Sequence, residues 1–185
     1  MVVLQADGAT FARGGDTIVP PFSLELASGE HGTLGCVDDR AARVAARVAA
    51  GIVKVTSGKL LICHFDPRVQ PVQAKRCTGF VPRDGDFGWS PPDRDDATRL
   101  HASLFEVSCD EARRRVRATL EALGDDGPFA FALALALVRP IRLLVLDRPP
   151  ADVDARLAGV VDEATTLLST RVHAGARAGA ELSAV

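Results

Sequence analysis

The chain has 185 residues, a formal net charge of −2 and 25% charged residues, which suits one globular domain with a sizeable core. The near-neutral charge excludes a broad basic surface for nucleic acid. A single Trp and no Tyr leave little material for stacking on bases.

No segment near the start reads as a targeting sequence. The N-terminal residues MVVLQADGAT lack the charged-then-apolar pattern of a signal peptide. The longest apolar run, Phe129 to Val138, is too short to span a bilayer. We therefore expect a cytoplasmic protein, and we expect its four cysteines, which have no CxxC spacing, to be free thiols.

The first half of the chain predicts a β-rich start followed by one alanine-rich helix. In chain order, the predicted elements are strands at Val2–Leu4, Phe22–Leu26 and His31–Leu34, a helix at Ala41–Ala50, and strands at Lys59–Ile62 and Gly79–Val81.

The second half predicts a loop and then alternating helices and strands. Residues Arg83–Asp96 are rich in Pro, Gly and Asp and indicate a loop. Ser108 and Glu111 form a capping box that begins a helix ending at Leu123. Later elements are a helix at Phe129–Val138, a strand at Leu143–Leu146, a helix at Asp154–Ala164 and a strand at Thr165–Ser169. Strands alternating with helices favour a mostly parallel α/β sheet.

Residues 143–154, LLVLDRPPADVD, carry the strongest functional signal. A buried strand that ends in an Asp is typical of a phosphate site, where this Asp helps to hold magnesium. The stretch resembles the Walker B strand and D-loop of ABC-transporter ATPases, with Asp147 at the Walker B Asp and Asp154 at the end of the D-loop. Residues 22–30 (FSLELASGE), 79–83 (GFVPR) and 167–170 (LLST) resemble other segments of this family in the same order.

The resemblance implies an α/β fold with a P-loop NTPase-like, three-layer core. It implies a single domain over residues 1–185, with a β-rich N-terminal part and a reduced helical subdomain inserted at residues 84–128.

The positions that hold nucleotide in this family are substituted. A Walker A loop needs glycines whose N–H groups wrap phosphate, a Lys for the phosphates and a Ser or Thr for magnesium. At the matching positions the chain has Cys36, Asp38, Asp39, Ala42 and Arg43, with Arg83 for the Q-loop Gln, Arg148 for the catalytic Glu and Arg171 for the switch His. The signature segment falls at residues 123–127, where Asp125 and Asp126 replace Ser and Gly.

The two aspartates of the Walker A segment lie where a helix N-terminus would accept an anion. A carboxylate of Asp38 or Asp39 can cap that helix itself and repel a phosphate. We therefore predict a self-capped turn in place of a phosphate loop. Phe11 fits either the aromatic that stacks on adenine in this family or plain core packing.

These substitutions predict a pseudo-ATPase without catalytic residues, cofactor or metal, acting as a structural or regulatory subunit. By resemblance, its partners are a permease subunit or an active ABC ATPase, in a homo- or heterodimer at the inner face of the cell membrane. The permease would dock in a groove near Arg83 and the following acidic loop. Two alternatives stay open: a subunit that binds Mg-ATP weakly, with Asp147 holding the magnesium, and a free-standing scaffold module.

Overall fold

The computed structural model describes residues 1–85, 93–157, 159–172 and 182–184, with the backbone alone described at residues 154 and 182–184. The strands are β1 (Val2–Arg13), β2 (Asp16–Ala27), β3 (His31–Cys36), β4 (Ser57–Ile62), β5 (Thr78–Val81), β6 (Leu143–Asp147), β7 (Thr166–Val172) and β8 (Leu182–Ala184). The helices are α1 (Asp39–Ala49), α2 (Pro71–Cys77), α3 (Arg94–Leu104), α4 (Cys109–Leu123), α5 (Pro128–Ala136) and α6 (Val153–Leu157).

An antiparallel sheet of order β2-β1-β4 forms the N-terminal part of the fold. Strands β1 and β2 are longer than predicted because they continue to a tight hairpin turn at Gly14 and Gly15, where φ is 64° and 89°. Glycine is favoured in this left-handed region because it has no Cβ to clash. Pro20 and Pro21 lie within β2, which is an edge strand of this sheet and so tolerates missing N–H donors.

The central sheet has the order β5-β6-β7-β3-β8. Its first four strands are parallel, and β8 adds antiparallel to β3. All five residues of β6 are buried, as expected for a parallel strand covered on both faces. The predicted mostly parallel sheet with a β-rich N-terminal part is therefore confirmed.

Helix α1 joins the two sheets. It packs on β1 and β2 of the antiparallel sheet and on β3, β6 and β7 of the central sheet. Its alanines at 41, 42, 45, 46 and 49 are buried, and these small side chains let both sheets approach the helix closely. The main apolar cluster of the protein surrounds this helix.

The opposite face of the central sheet is covered by α5 and α6. Alternate residues of β6 point to the two faces: Leu143 and Val145 join the α1 cluster, whereas Leu144 and Leu146 pack with residues of α5 and α6. Helix α5 has 9 residues, most of them buried. None of the helices within the described ranges combines the length and the apolar character needed to span a bilayer.

Three helices differ from the sequence predictions. Helix α3 was not predicted: it begins at Arg94, inside the predicted loop, where the side chain of Asp93 caps it by accepting from the Asp96 N–H at 2.7 Å. Helix α6 ends at Leu157 instead of continuing to Ala164, and Gly159, whose φ is 81°, turns the chain two residues later. Helix α2 was not predicted, and Pro71 begins it. Residues 86–92 of the predicted loop lie outside the described residues. The boundaries 84–128 of a helical subdomain stay a prediction.

Candidate functional site

The candidate site lies at the carboxyl ends of the parallel strands. Cys36 ends β3 and Asp147 ends β6, while Thr170 lies opposite Asp147 on the intervening strand β7. Carboxyl ends of adjacent parallel strands meet at one edge of a sheet, which is where open α/β sheets bind ligands. The loop after Cys36 leads directly into α1, so the N-terminus of α1 faces the same edge.

The guanidinium of Arg148 lies at this edge of the sheet and brings a positive charge to it. Its Nε donates to Asp147 Oδ1 at 2.7 Å and its Nη2 to Asp147 Oδ2 at 3.3 Å, a two-point pair. Its Nη1 lies 2.8 Å from Asp39 Oδ1 at the start of α1. One guanidinium therefore bridges the end of β6 and the N-terminus of α1, with fixed geometry suited to carboxylates.

In this ion bridge, Arg148 and Asp147 are buried and Asp39 is exposed. Their side chains are 7% and 3% exposed, while Asp39 is 66% exposed. Hydrogen bonding to Asp147 is the main cause that raises the pKa of Arg148 above its ordinary value, and Asp39 adds to it. Hydrogen bonding from Arg148 lowers the pKa of Asp39. Arg148 and Asp39 are therefore ionised at neutral pH, and the guanidinium offers no atom that accepts a proton.

The backbone conformation of Arg148 allows its side chain to pair with Asp147. Its φ is 48°, in the left-handed region, which costs a side-chain-bearing residue about 1–2 kcal/mol. Its N–H donates to Thr170 Oγ1 at 3.2 Å, a contact buried between β6 and β7. In an extended strand, neighbouring side chains point to opposite faces. The left-handed turn instead brings the side chain of Arg148 back onto Asp147.

The loop before α1 is capped by its own aspartate. Asp38 is the N-cap, and its Oδ1 accepts from the Ala41 N–H at 2.7 Å. The predicted self-capped turn is therefore confirmed. Ala42, at the position of the family's Lys, is fully buried, and Arg43 is exposed on the helix surface. Burial, followed by the charges of Asp38 and Asp147, raises the pKa of Cys36 to about 11, so this thiol stays protonated.

Arg83 reaches the same cluster from the loop after β5. Its Nη1 lies 3.5 Å from Asp39 Oδ1, and its Nε lies 4.0 Å from Asp84. Arg83 is about half exposed, so its contribution is that of a screened surface pair. The sequence placed Arg83 by resemblance alone, and the structure shows it turned towards α1.

A second aspartate lies in the loop before α5, a helix whose N-cap, Gly127, makes no side-chain capping bond. Gly124 ends α4 in the left-handed conformation, and α5 begins at Pro128. In the loop between them, Asp125 Oδ1 accepts from the Gly127 N–H at 2.8 Å, and its Oδ2 lies 2.7 Å from Arg156 Nη1. The hydrogen bond from Gly127, then the contact with Arg156, lowers the pKa of Asp125.

Three other predicted positions lie on β1, β7 and α6. Phe11 lies in β1, paired with Val19 of β2, and packs partly buried against the main apolar cluster. Arg171 follows Thr170 on β7 and is half-buried. Asp154 belongs to α6 by its backbone, and its side chain lies outside the described residues.

The sequence analysis did not predict two residues that make these contacts, Thr170 and Arg156. Thr170 carries no sequence signal, because its role depends on the register of β6 against β7. Arg156 had one available signal: it follows Asp152 at a spacing of four residues, and the two side chains pair at 2.7 Å. Such spacing places two side chains on one face of a helix.

A groove lies between α2, α3 and β5, away from the ion cluster. Its volume is about 490 Å³. Ile52, Val72 and Leu104 line it and are 46%, 59% and 64% exposed, while Lys75 and Arg76 of α2 add positive charge. Large apolar side chains clustered at a surface groove mark an interaction site.

Comparison with solved structures defines the class of fold. The chain has the fold of ABC transporter ATP-binding subunits, as the sequence resemblance predicted. One such ATP-binding subunit aligns with a TM-score of 0.71 at 15% identity, over 91% of this chain and 79% of that chain. CbiO1 from Clostridium perfringens, part of the ABC transporter complex CbiONQ, aligns with a TM-score of 0.66 at 18% identity, over 91% and 78%.

A third structure is the ATP-binding cassette MJ0796, a dimer in a post-hydrolysis state bound to ADP and Pi. It aligns with a TM-score of 0.69 at 14% identity, over 90% of this chain and 87% of that chain. No protein-family model and no curated protein matches the sequence.

Proposed function

We propose that this chain is an ABC ATPase-like subunit that does not use nucleotide and serves as a structural or regulatory part of a membrane transport complex. The observation that carries the proposal is the Arg148 bridge between Asp147 and Asp39. In P-loop NTPases the matching Asp helps to hold magnesium. Here the guanidinium of Arg148, which belongs to the chain itself, is paired with the carboxylates of Asp147 and Asp39.

The residues at the site do not fit a magnesium nucleotide. Magnesium at Asp147 would displace a cation that is covalently attached and therefore always present. A phosphate near α1 would meet the carboxylates of Asp38 and Asp39, at a cost of about 1–4 kcal/mol per charge pair. Because Arg148 cannot accept a proton from water, hydrolysis lacks a general base at this position.

The groove between α2, α3 and β5, which is not the groove predicted near Arg83, supports the proposal of a partner. We propose that it receives a short amphipathic helix from a membrane-embedded subunit, with apolar side chains against Ile52, Val72 and Leu104 and acidic side chains towards Lys75 and Arg76. Such an assembly would hold this protein at the cytoplasmic face of the membrane.

Isothermal titration with Mg-ATP tests the loss of nucleotide use. We expect no binding at ligand concentrations up to about 1 mM, which corresponds to about −4.1 kcal/mol. Binding tighter than about 100 μM, or about −5.5 kcal/mol, that is abolished in Asp147→Ala would overturn the proposal in favour of an ATP-binding subunit.

Purification of the tagged chain from membranes of its host tests the partner. We expect a polytopic membrane protein, identified by mass spectrometry, to co-purify with the wild type and to be lost in Leu104→Glu. Val69→Glu is the matched control, because Val69 is exposed but does not line the groove. Recovery of the wild type alone, in the soluble fraction, would instead indicate a free-standing module.

A further inference from the structure

Helices α3, α4 and α5 form a unit with an apolar cluster of its own. Helix α3 packs on α4, and α4 packs on α5. The shared cluster contains Ala102 of α3, Val116 of α4 and Leu135 of α5. Helix α5 also belongs to the core, since Leu133 packs with residues of β5 and β6. The orientation of the three-helix unit on the sheet is therefore set by what holds α5.

An arginine of α6 pairs with the loop that precedes α5. Arg156, on α6, lies 2.7 Å from Asp125 through Nη1 and 2.7 Å from Asp152 through Nε. Asp125 in turn caps the N–H of Gly127, one residue before α5. The contact thus connects the helix that follows β6 to the loop that begins α5. Gly85 lies against the same end: a Cβ on it would stand 2.4 Å from the carbonyl oxygen of Pro128.

A second arginine holds the C-terminal end of α5. Arg139 follows α5, and its Nη2 donates to the carbonyl oxygens of Lys75 and Thr78 at 2.8 Å each. Its Nη1 donates to the carbonyl of Arg76, so it satisfies the free carbonyls at the end of α2. Its guanidinium also lies 4.0 Å from the ring centroid of Phe105, which follows α3, a cation–π distance.

We propose that Arg139 and Arg156 clamp the α3–α5 unit to the core in one orientation, so that the groove between α2, α3 and β5 is kept assembled without a bound ligand. Two facts support this. The two arginines act at opposite ends of α5, a helix that contributes buried residues to both apolar clusters. Arg139 itself lines the groove, and it contacts three other parts of the lining: α2, the start of β5, and Phe105 beside α3.

Hydrogen–deuterium exchange of the full chain, read by mass spectrometry, tests the clamp. We expect Arg156→Gln and Arg139→Met each to raise exchange about threefold or more in residues 94–138, the order of change that loss of a partly exposed tie allows. Exchange in α1 stays as in the wild type. Asp125→Asn, which keeps a capping oxygen for Gly127 but loses the charge, reproduces the effect of Arg156→Gln.

The control is Arg114→Ala, which removes an ion pair with Glu111 inside α4 and leaves exchange unchanged. Unaltered exchange in both Arg156→Gln and Arg139→Met would overturn the clamp. A rise spread evenly over the whole chain, α1 included, would also overturn it, because that pattern reports global destabilisation. Neither result depends on nucleotide binding, so the clamp and the proposed function fail separately.

Discussion

At Arg148, one backbone angle determines whether the side chain pairs with Asp147 or points away from it. The sequence predicted that a cation had replaced a proton acceptor at this position. It did not predict the pairing with Asp147, because adjacent residues of a strand ordinarily point apart. The left-handed φ of 48° reverses the side chain, and no pattern of residue types encodes that sign. Asp39, Asp147 and Arg148 were therefore readable from the sequence, whereas Thr170 and the contacts among these residues were not.

Replacing Arg148 by Met leaves the buried carboxylate of Asp147 without its partner. We expect the free energy of unfolding, measured by urea denaturation, to fall by about 3–5 kcal/mol, the usual cost of breaking a buried pair from one side. In the double variant Asp147→Leu/Arg148→Met the loss is smaller, because no carboxylate stays buried unpaired.

The comparison variant is Arg114→Ala, whose ion pair is at the surface and contributes no more than about 1 kcal/mol. Equal stability of Arg148→Met and Arg114→Ala would show that the bridge contributes no more than an exposed pair.

At the scale of elements, sequence signals worked where capping chemistry was local. The alanine-rich helix α1 and the capping box at Ser108 were both predicted, and Ser108 accepts from the Glu111 N–H at 3.3 Å. The signals missed α2 and α3 and placed the end of α6 too late. Helix α2 has 7 residues and α6 has 5, too few for apolar periodicity to register.

The cap of α1 gives an element-scale prediction. Asp38→Ala removes the acceptor for the Ala41 N–H, and we expect the free energy of unfolding to fall by about 1 kcal/mol. Asp38→Ser keeps a capping oxygen and stays close to the wild type. Thermal melts followed by circular dichroism measure both variants, and a serine variant as unstable as the alanine variant would contradict the capping role.

For the whole molecule, the order of the strands was the part least accessible to composition and periodicity. Alternating strands and helices indicated a parallel sheet, but the placement of β7 between β6 and β3 brings together residues far apart in the chain. The resemblance of short segments to ABC ATPases predicted the class of fold, and the order of the strands was not predicted. The fold is shared with structures of only 14–18% identity.

Global stability should depend on pH through His101. Burial, with the nearby charge of Arg139 as a second cause, lowers the pKa of His101 below its usual 6.5. The unfolded chain therefore binds this proton more readily than the folded protein. The free energy of unfolding is highest above about pH 6.5 and falls as the pH drops through that value, by at most about 1.4 kcal/mol per pH unit.

Urea denaturation at pH values between 7 and 5 measures this dependence. We expect His101→Phe to flatten the profile in that range and His64→Asn, an exposed histidine, to leave it as in the wild type. The lowered pKa values of Asp39 and Asp125 act separately, since their stabilisation is lost only below about pH 4. A wild-type profile that is level from pH 7 to 5 would contradict the role of His101.

The prolines of β2 have a consequence for how the protein behaves at high concentration. A free sheet edge offers a row of N–H and C=O groups on which a strand from another molecule can assemble. Pro20 and Pro21 remove two consecutive donors from the edge strand β2. Because successive N–H groups of a strand point to opposite sides, one of the two would have faced the free edge, so the ladder that an incoming strand would form is interrupted in its middle. This edge is therefore protected against aggregation by strand addition.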